Sequence, residues 1–322
     1  MKALSIYIPT WNRANYLADL LDSLLKSVIG HEDEVEILIS DNASDDATRD
    51  LVIDYVSQVP IIHYHRNDIN IRDGNFLQAP YLCSGRYIWL LGDDDKITED
   101  AVTKVLDAII DGPGLVVLGF AIYSKDLADC LNPSFFGDSH SYVIEGRSNI
   151  LKKFGVGLGF ISCVIMEREL LLRVPREKLE KISEVGFSPF YSAYAVLAQR
   201  ESIRYITGSH LIQRSSNERF DDASHLVTVF LKGSSIAWRY LSELGYSFFS
   251  IRGTKKSYYR NTLFKLTIAA KLRNAPILKL IGLSLPGYAS IFLFWFGTLP
   301  LLLIPTPILK VVKRFNQLIK RK

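Results

Sequence analysis

Tyr87-Ile88-Trp89-Leu90-Leu91-Gly92-Asp93-Asp94-Asp95 is the stretch on which the reading of this chain turns. Its first five residues form a short apolar run of aromatic and branched side chains, the pattern of a buried strand. The three carboxylates therefore emerge where a strand stops, and in open α/β sheets that is where ligands bind. Adjacent carboxylates repel one another unless a cation neutralises them. Oxygen donors of this kind suit Mg2+ or Mn2+ held jointly with phosphate oxygens. The alternative is an acidic turn capping a helix that begins near Thr98.

Upstream and downstream of this stretch, strand and helix signals alternate. Ala3 to Ile8 reads as a strand ended by Pro9, and Tyr16 to Ser27 carries Leu17, Leu20, Leu21, Leu24 and Leu25 at the spacing of an amphipathic helix. Val35 to Ser40 is a second strand, followed by a helix over Asp45 to Ser57 with Ser44 as its cap. Ile61 to His65 is a third strand, Asn75 to Cys83 is helical, and Tyr87 to Leu91 is the fourth strand. A helix over Ala101 to Ile110 and a strand over Leu115 to Phe120 complete the pattern. Such alternation predicts an α/β fold, a mostly parallel twisted sheet flanked by helices. Further on, Phe160 to Met166 is an apolar run, Ser188 to Arg200 is helical, Ile203 to Ile206 is a strand and Ser215 to Ser224 is loop-like. Helices are expected from Thr228 to Leu272.

With 322 residues, 48% of them hydrophobic and 22% charged, the chain can bury a substantial core and is not globally disordered. A net charge of +4 and the lack of any nucleic-acid motif argue against a nucleic-acid partner. Cys83, Cys130 and Cys163 are far apart, which fits neither a zinc site nor a disulfide scaffold and suggests a reducing compartment. The opening Met-Lys-Ala-Leu-Ser-Ile-Tyr-Ile-Pro-Thr reads as a first strand and not as a secretion signal, so a cytoplasmic location is expected.

If the sheet is parallel, four strand ends place their polar residues on one rim: Pro9-Thr10-Trp11-Asn12-Arg13, then Asp41-Asn42-Ala43-Ser44-Asp45-Asp46, then Arg66-Asn67-Asp68 with Asn70 and Asn75, then the aspartate triplet. Such a rim can hold a nucleotide without a glycine-rich dinucleotide loop, and none follows the first strand. In this order and spacing the motifs resemble family-2 glycosyltransferases of the GT-A fold, in particular bacterial enzymes of O-antigen and surface-polysaccharide synthesis of the abequosyltransferase-like group. The resemblance is strong over residues 1–125 and weak over 126–225. It implies a glycosyltransferase domain at 1–225, with a nucleotide-sugar-binding half at 1–125 and an acceptor half at 126–225.

The resemblance also implies roles. Pro9, Thr10, Asn12 and Arg13 would line the nucleotide pocket, Asp41 would bind the base, Asn42 and Ser44 would shape that loop, and Asn75 would lie beneath the diphosphate. Asp93 and Asp95 form the D-x-D pair, with Asp93 toward ribose and metal, Asp95 on the metal at the reacting centre, and Asp94 able to serve in either place. Thr10 and Ser44 have an alternative reading as helix caps, Arg13 as a surface charge and Asn70 as a turn residue. His63 and His65 share a strand face and read as packed residues, whereas His210 and Arg214 could reach the diphosphate.

Two departures stand out. Relatives carry a glycine two residues after the position of Asn70, where this chain has Arg72 and then Gly74. Inverting members often place a Glu-Asp pair ahead of the acceptor-side helix, one carboxylate being the general base, whereas here the stretch is Val185-Gly186-Phe187-Ser188-Pro189-Phe190. Glu184 is the nearest substitute; its other reading is a surface salt-bridge partner. The expected reaction is metal-dependent, inverting transfer from a nucleotide-diphosphate sugar to a polyprenyl-diphosphate-linked glycan. The competing reading is a catalytically impaired glycan-binding or membrane scaffold. A nucleotidyltransferase would need a glycine-rich basic loop after the first strand, which Trp11-Asn12-Arg13-Ala14 does not provide.

Residues 226–322 form the remaining region. No charged residue lies between Lys279 and Lys310, and every charge from Ala275 onward is basic. Pro286, Gly297, Pro300, Pro305 and Pro307 interrupt the apolar segment 280–309, and its two basic flanks fit a simple span poorly. A re-entrant hairpin or an in-plane helix pair on the cytoplasmic face of a bacterial inner membrane is expected, the alternative being a buried helical hairpin.

Overall fold

The computed structural model describes residues 2–215 and 228–310 of the 322. These fall into two compact units, residues 2–184 with 188–215, and residues 185–187 with 228–310. The loop-like stretch expected at Ser215 to Ser224 lies, but for its first residue, outside the described residues.

The first unit opens with β1 (Leu4–Thr10), α1 (Ala14–Ser27), β2 (Val35–Asp41), α2 (Thr48–Gln58) and β3 (Ile62–Arg66). A 3-10 turn over Arg72–Gln78 leads into α3 (Ala79–Leu82), then β4 (Tyr87–Leu90), β5 (Lys96–Ile97) and α4 (Ala101–Ile109). There follow β6 (Leu115–Tyr123), β7 (Cys130–Asn132), β8 (Tyr142–Glu145), α5 (Arg147–Phe154), β9 (Val164–Glu167), α6 (Arg168–Leu172), α7 (Arg176–Ser183), α8 (Ser188–Leu197) and β10 (Ser202–Arg214). Strands β2 and β4 are buried along their whole length, as continuous apolar runs in a doubly covered sheet should be.

The sheet order is β3-β2-β1-β4-β9-β6-β10-β5, with β7 beside β6 and β8 beside β10. Its first half, β3-β2-β1-β4, is parallel throughout. Beyond β4 the sheet is mixed: β9 runs against both β4 and β6, while β10 is parallel to β6. The direction of β9 was not readable from the apolar run Phe160 to Met166, half of which is a 3-10 turn at Ile161–Cys163. The reversal matters: β9 starts on the edge where β1, β2, β3, β4, β6 and β10 end.

Pro9 lies inside β1 and does not end it. In a parallel strand each residue's N–H and C=O face the same neighbour. Leu91 donates to the Tyr7 carbonyl, so Tyr7 and Pro9 face β4, whereas Asn42 donates to the Thr10 carbonyl on the β2 side. The pairing with β4 stops at Tyr7 opposite Leu90, so the donor that proline lacks would have had no acceptor. The helix after β2 also starts later than expected, at Thr48 behind Ala47, so Ser44 is not its cap. The acidic triplet caps no helix either, because β5 intervenes before α4.

The second unit is helical: α9 (Ser234–Glu243), α10 (Phe248–Tyr258), α11 (Phe264–Leu272), α12 (Ile277–Tyr288) and α13 (Leu299–Leu303). Its apolar segment is divided between two environments. Leu280, Tyr288, Phe294 and Leu302 are buried, whereas Phe292, Phe296 and Leu303, with Leu278 just before the segment, are exposed. Tyr288 takes a 3.0 Å hydrogen bond from the Trp238 indole, and Tyr259 and Thr298 share one of 2.6 Å. The Lys271 ammonium is buried and donates to the carbonyls of Leu301, Leu302 and Ile304, where α13 has run out of internal donors. No helix among the described residues is long and apolar enough to cross a membrane.

Candidate functional site

The chain leaves β4 at Leu90 and passes through Gly92 into Asp93, Asp94 and Asp95, all buried. Gly92 is there for space: a Cβ would stand 3.0 Å from Ser162 Oγ and 3.1 Å from Asp95 Oδ2. Arg13, from the loop after β1, reaches Asp93 Oδ1 at 2.8 Å and Asp94 Oδ2 at 3.2 Å. Asp95 receives the Ser162 hydroxyl on Oδ2 and the Arg214 backbone N–H on Oδ1 at 3.2 Å. Ser162 also accepts the Gly92 N–H at 2.9 Å, so one hydroxyl ties the turn to its carboxylate.

Burial, followed by the neighbouring Asp94 charge, drives the Asp95 carboxyl well above the ordinary carboxylate range despite the Ser162 and Arg214 donors. Burial likewise raises Asp93 to about 6, with Arg13 pulling the other way and Asp94 adding to the rise. The same contacts raise the Arg13 pKa although burial opposes it.

A second buried carboxylate, Asp41 at the end of β2, is in the opposite condition. Its Oδ1 accepts the Ser44 N–H at 2.8 Å, and its Oδ2 accepts the Tyr64 hydroxyl at 2.7 Å and Arg66 Nη1 at 2.5 Å. Arg66 is directly opposite Asp41 in the β2–β3 register, and Tyr64 is on the same face two residues earlier. Burial pushes this carboxyl up, but the Ser44, Tyr64 and Arg66 donors outweigh it and its pKa falls below 3.8.

The loops between these two stations are clasped. The Asn12 N–H donates to Ser44 Oγ at 2.9 Å, and the Asp45 N–H returns to Asn12 Oδ1 at 2.8 Å. Asn12 and Ala43 both adopt positive φ, 53° and 61°, which this tight crossing demands. Asn42 donates to Asn70 Oδ1 and the Arg72 carbonyl and accepts from Asn67 and Ile71, so it pins the loop after β3. Arg72, where the resemblance led to the expectation of a glycine, takes a positive φ of 54°. Asn75 accepts from Ser40 at 2.7 Å and Asn67 at 3.1 Å and donates to the Ser40 carbonyl at 2.9 Å, binding β2 to the loop that follows β3. Thr10 is buried at the end of β1, and Pro9 precedes it within the strand.

Most of the residues singled out from the sequence thus converge on one edge: Thr10, Asn12, Arg13, Asp41, Asn42, Ser44, Asn75 and the triplet. Arg214 and Glu184 are placed differently. The guanidinium of Arg214 is engaged by the carbonyls of Asp94 and Lys125 and by Asp19 Oδ2, and it lies over the Tyr16 ring, so it locks the turn. Glu184 is exposed at the end of α7 and makes no hydrogen bond to the triplet. His63 is exposed and His65 bonds Asn67, so neither is a packed core residue. Ser162 and Tyr64 had not been picked out, and Arg66 stood only in the polar list after the third strand. Ser162 sits in an apolar run and carries no local signal, whereas Tyr64 and Arg66 alternate along β3 and were detectable once β3 was set beside β2.

The donor set fits a divalent cation. Asp95 forms no ion pair with a Lys or Arg side chain among the described residues, and burial first, then the neighbouring Asp94 charge, raises the pKa values of Asp93 and Asp95. No three His, Cys, Asp or Glu groups among the described residues form a closed cage. Mg2+ and similar ions need none: one or two carboxylates, phosphate oxygens and water complete their shell.

Comparison with known proteins agrees with this geometry. Residues 5–174 match the sequence profile of Glycosyl transferase family 2. The abequosyltransferase RfbV of Salmonella typhimurium is 37% identical over 118 residues, 36% of this chain and 34% of that protein. The chain therefore matches only about a third of that relative's length. Among solved structures, residues 1–349 of TarS from S. aureus superpose with a TM-score of 0.58 at 13% identity, covering 87% of this chain and 82% of that one. A mannosyltransferase, PcManGT from Pyrobaculum calidifontis, in complex with GDP-Man and Mn2+, gives 0.57 at 14% identity, covering 98% and 80%. The fold is that of the GT-A glycosyltransferases.

Proposed function

Because the chain belongs to Glycosyl transferase family 2, we propose that the edge shared by β3, β2, β1 and β4 seats a nucleotide-diphosphate sugar and transfers its sugar, with inversion, to a lipid-linked bacterial surface glycan. The observation that carries this reading is the continuous path from Arg66 and Asp41 through Ser44 and Asn12 to Arg13 and Asp93. It crosses three strand spacings, roughly 14 Å at ~4.8 Å each. The base would sit at the Asp41 end and the diphosphate at the triplet.

Asp95 and Asp93 would hold Mn2+ or Mg2+, which when bound stabilises charge on the departing diphosphate. Ser162 and the Arg214 N–H orient Asp95, and Arg13 keeps Asp93 and Asp94 from repelling each other. Arg13 is also placed to meet phosphate charge with its remaining donors. Asn42 and Asn75 would act by holding the nucleotide loops in place.

The second unit would supply the membrane contact. Its outward Phe292, Phe296, Leu278 and Leu303, together with Phe248 and Phe249, expose apolar surface of the kind that enters a lipid interface. Lys279 and Lys310 flank the uncharged segment and would attract anionic head groups. A peripheral or re-entrant seat on the cytoplasmic face of the membrane would bring the enzyme to a polyprenyl-linked acceptor. O-antigen synthesis is the setting that the abequosyltransferase relative suggests.

The test is a hydrolysis and transfer screen of the purified chain against nucleotide sugars, with Mn2+ or Mg2+ and with a chelator. Metal-dependent turnover of at least one donor is expected. Turnover that survives full chelation would remove the metal from the scheme, and failure to bind any nucleotide diphosphate would leave the scaffold reading.

A further inference from the structure

In the nucleotide-sugar reading the group that meets the base is usually taken to be the carboxylate at the end of the second strand. The surroundings of Asp41 argue otherwise. Both of its oxygens already accept hydrogen bonds, two of them on Oδ2, and the residue has no exposed surface. Arg66, in contrast, keeps 35% of its side chain exposed on the same edge. Of its five guanidinium N–H donors, those on one nitrogen meet Asp41 and a further contact goes to the Tyr64 hydroxyl, which leaves donors open to the edge. A base arriving here meets a donor fork backed by a buried carboxylate, not a free acceptor.

We propose that Arg66 is the specificity-determining residue for the base, and that it selects bases presenting two adjacent hydrogen-bond acceptors over uracil and thymine. The inference depends on the nucleotide-sugar reading above. Cytosine offers N3 and O2 side by side, and guanine offers O6 and N7, the edge that arginine forks commonly grip. Uracil and thymine place an N3–H donor between two carbonyls, which opposes a guanidinium N–H and meets in Asp41 a carboxylate with no exposed surface. Removing Arg66 from Asp41 to expose the carboxylate would leave a buried negative charge unpaired, which the site resists. Tyr64, bonded to the same oxygen, holds Asp41 in the orientation that aims Arg66 along the edge.

Isothermal titration of the full chain with CDP, GDP, UDP and dTDP in the presence of Mn2+ tests this. CDP or GDP should bind about tenfold to a hundredfold more tightly than UDP and dTDP, and the pair of arms distinguishes the two bases that share the acceptor edge. Arg66→Lys keeps the ion pair but loses the fork, and should bring the four affinities to within about threefold. Arg66→Ala should shift preference toward UDP by freeing the Asp41 carboxylate. The proposal is overturned if wild type binds UDP or dTDP as tightly as the best of the others, or if Arg66→Lys retains the wild-type ratio. Binding of none of the four overturns the nucleotide reading and this inference with it; binding without discrimination overturns this inference alone.

Discussion

Asp41 and the Asp93–Asp95 turn are both buried carboxylate stations at strand ends of one sheet edge, yet their chemistry is opposite. At Asp41 the donors outnumber the charge: Ser44, Tyr64 and Arg66 close on a single carboxylate and lower its pKa. At the triplet, burial and the crowding of like charges outweigh the donors, and Asp93 and Asp95 titrate upward. The first station is complete as folded and serves to hold an arginine. The second, on the proposed reading, would receive a cation. The difference shows that an acidic residue at a strand end is not by itself a ligand; the balance of donors around it decides.

Asp95→Asn should have the largest effect, because it removes charge where charge is already the working feature. Metal-dependent transfer should fall about a hundredfold or more, and activity of this variant equal to wild type would break the contrast between the stations. Ser162→Ala comes next. It leaves Asp95 and the Gly92 N–H without their shared hydroxyl, and a Mn2+ titration should show a rise of roughly 10- to 100-fold in the metal concentration required. If only stability changed and the metal dependence did not, Ser162 would belong to the scaffold alone.

At the closed side of the edge the effect should appear in stability. Asn75→Ala would strand Ser40 and Asn67 in a buried site, costing about 2–3 kcal/mol in urea unfolding, with metal dependence nearly unchanged among molecules that remain folded. The smallest effect is expected for Glu184→Gln. An exposed side chain outside the network should change kcat by less than about threefold, since surface substitutions rarely exceed ~0.5 kcal/mol. A fall of a hundredfold or more with unaltered nucleotide binding would make Glu184 the general base after all and show that the acceptor brings it into place.

The succession of strands and helices in the first half, the polar residues at the strand ends and the acidic turn were legible in the sequence, because each depends on local pattern. A buried strand must be apolar, and an amphipathic helix must repeat every three to four residues. What the sequence could not determine depends on partners brought from far along the chain. The reversal of β9 delivers Ser162 to Asp95 across 67 positions, and β10 delivers Arg214 across 119. The pairing of β2 with β3 turns Arg66 from one residue of a polar list into the partner of Asp41. Likewise the uncharged C-terminal segment reads as uniformly apolar, and only its folding separates Tyr288 and Phe294, which are buried, from Phe292 and Phe296, which face out. Periodicity reports which residues prefer to leave water; which donor then meets which carboxylate is settled by strand order and direction, and these belong to the tertiary structure.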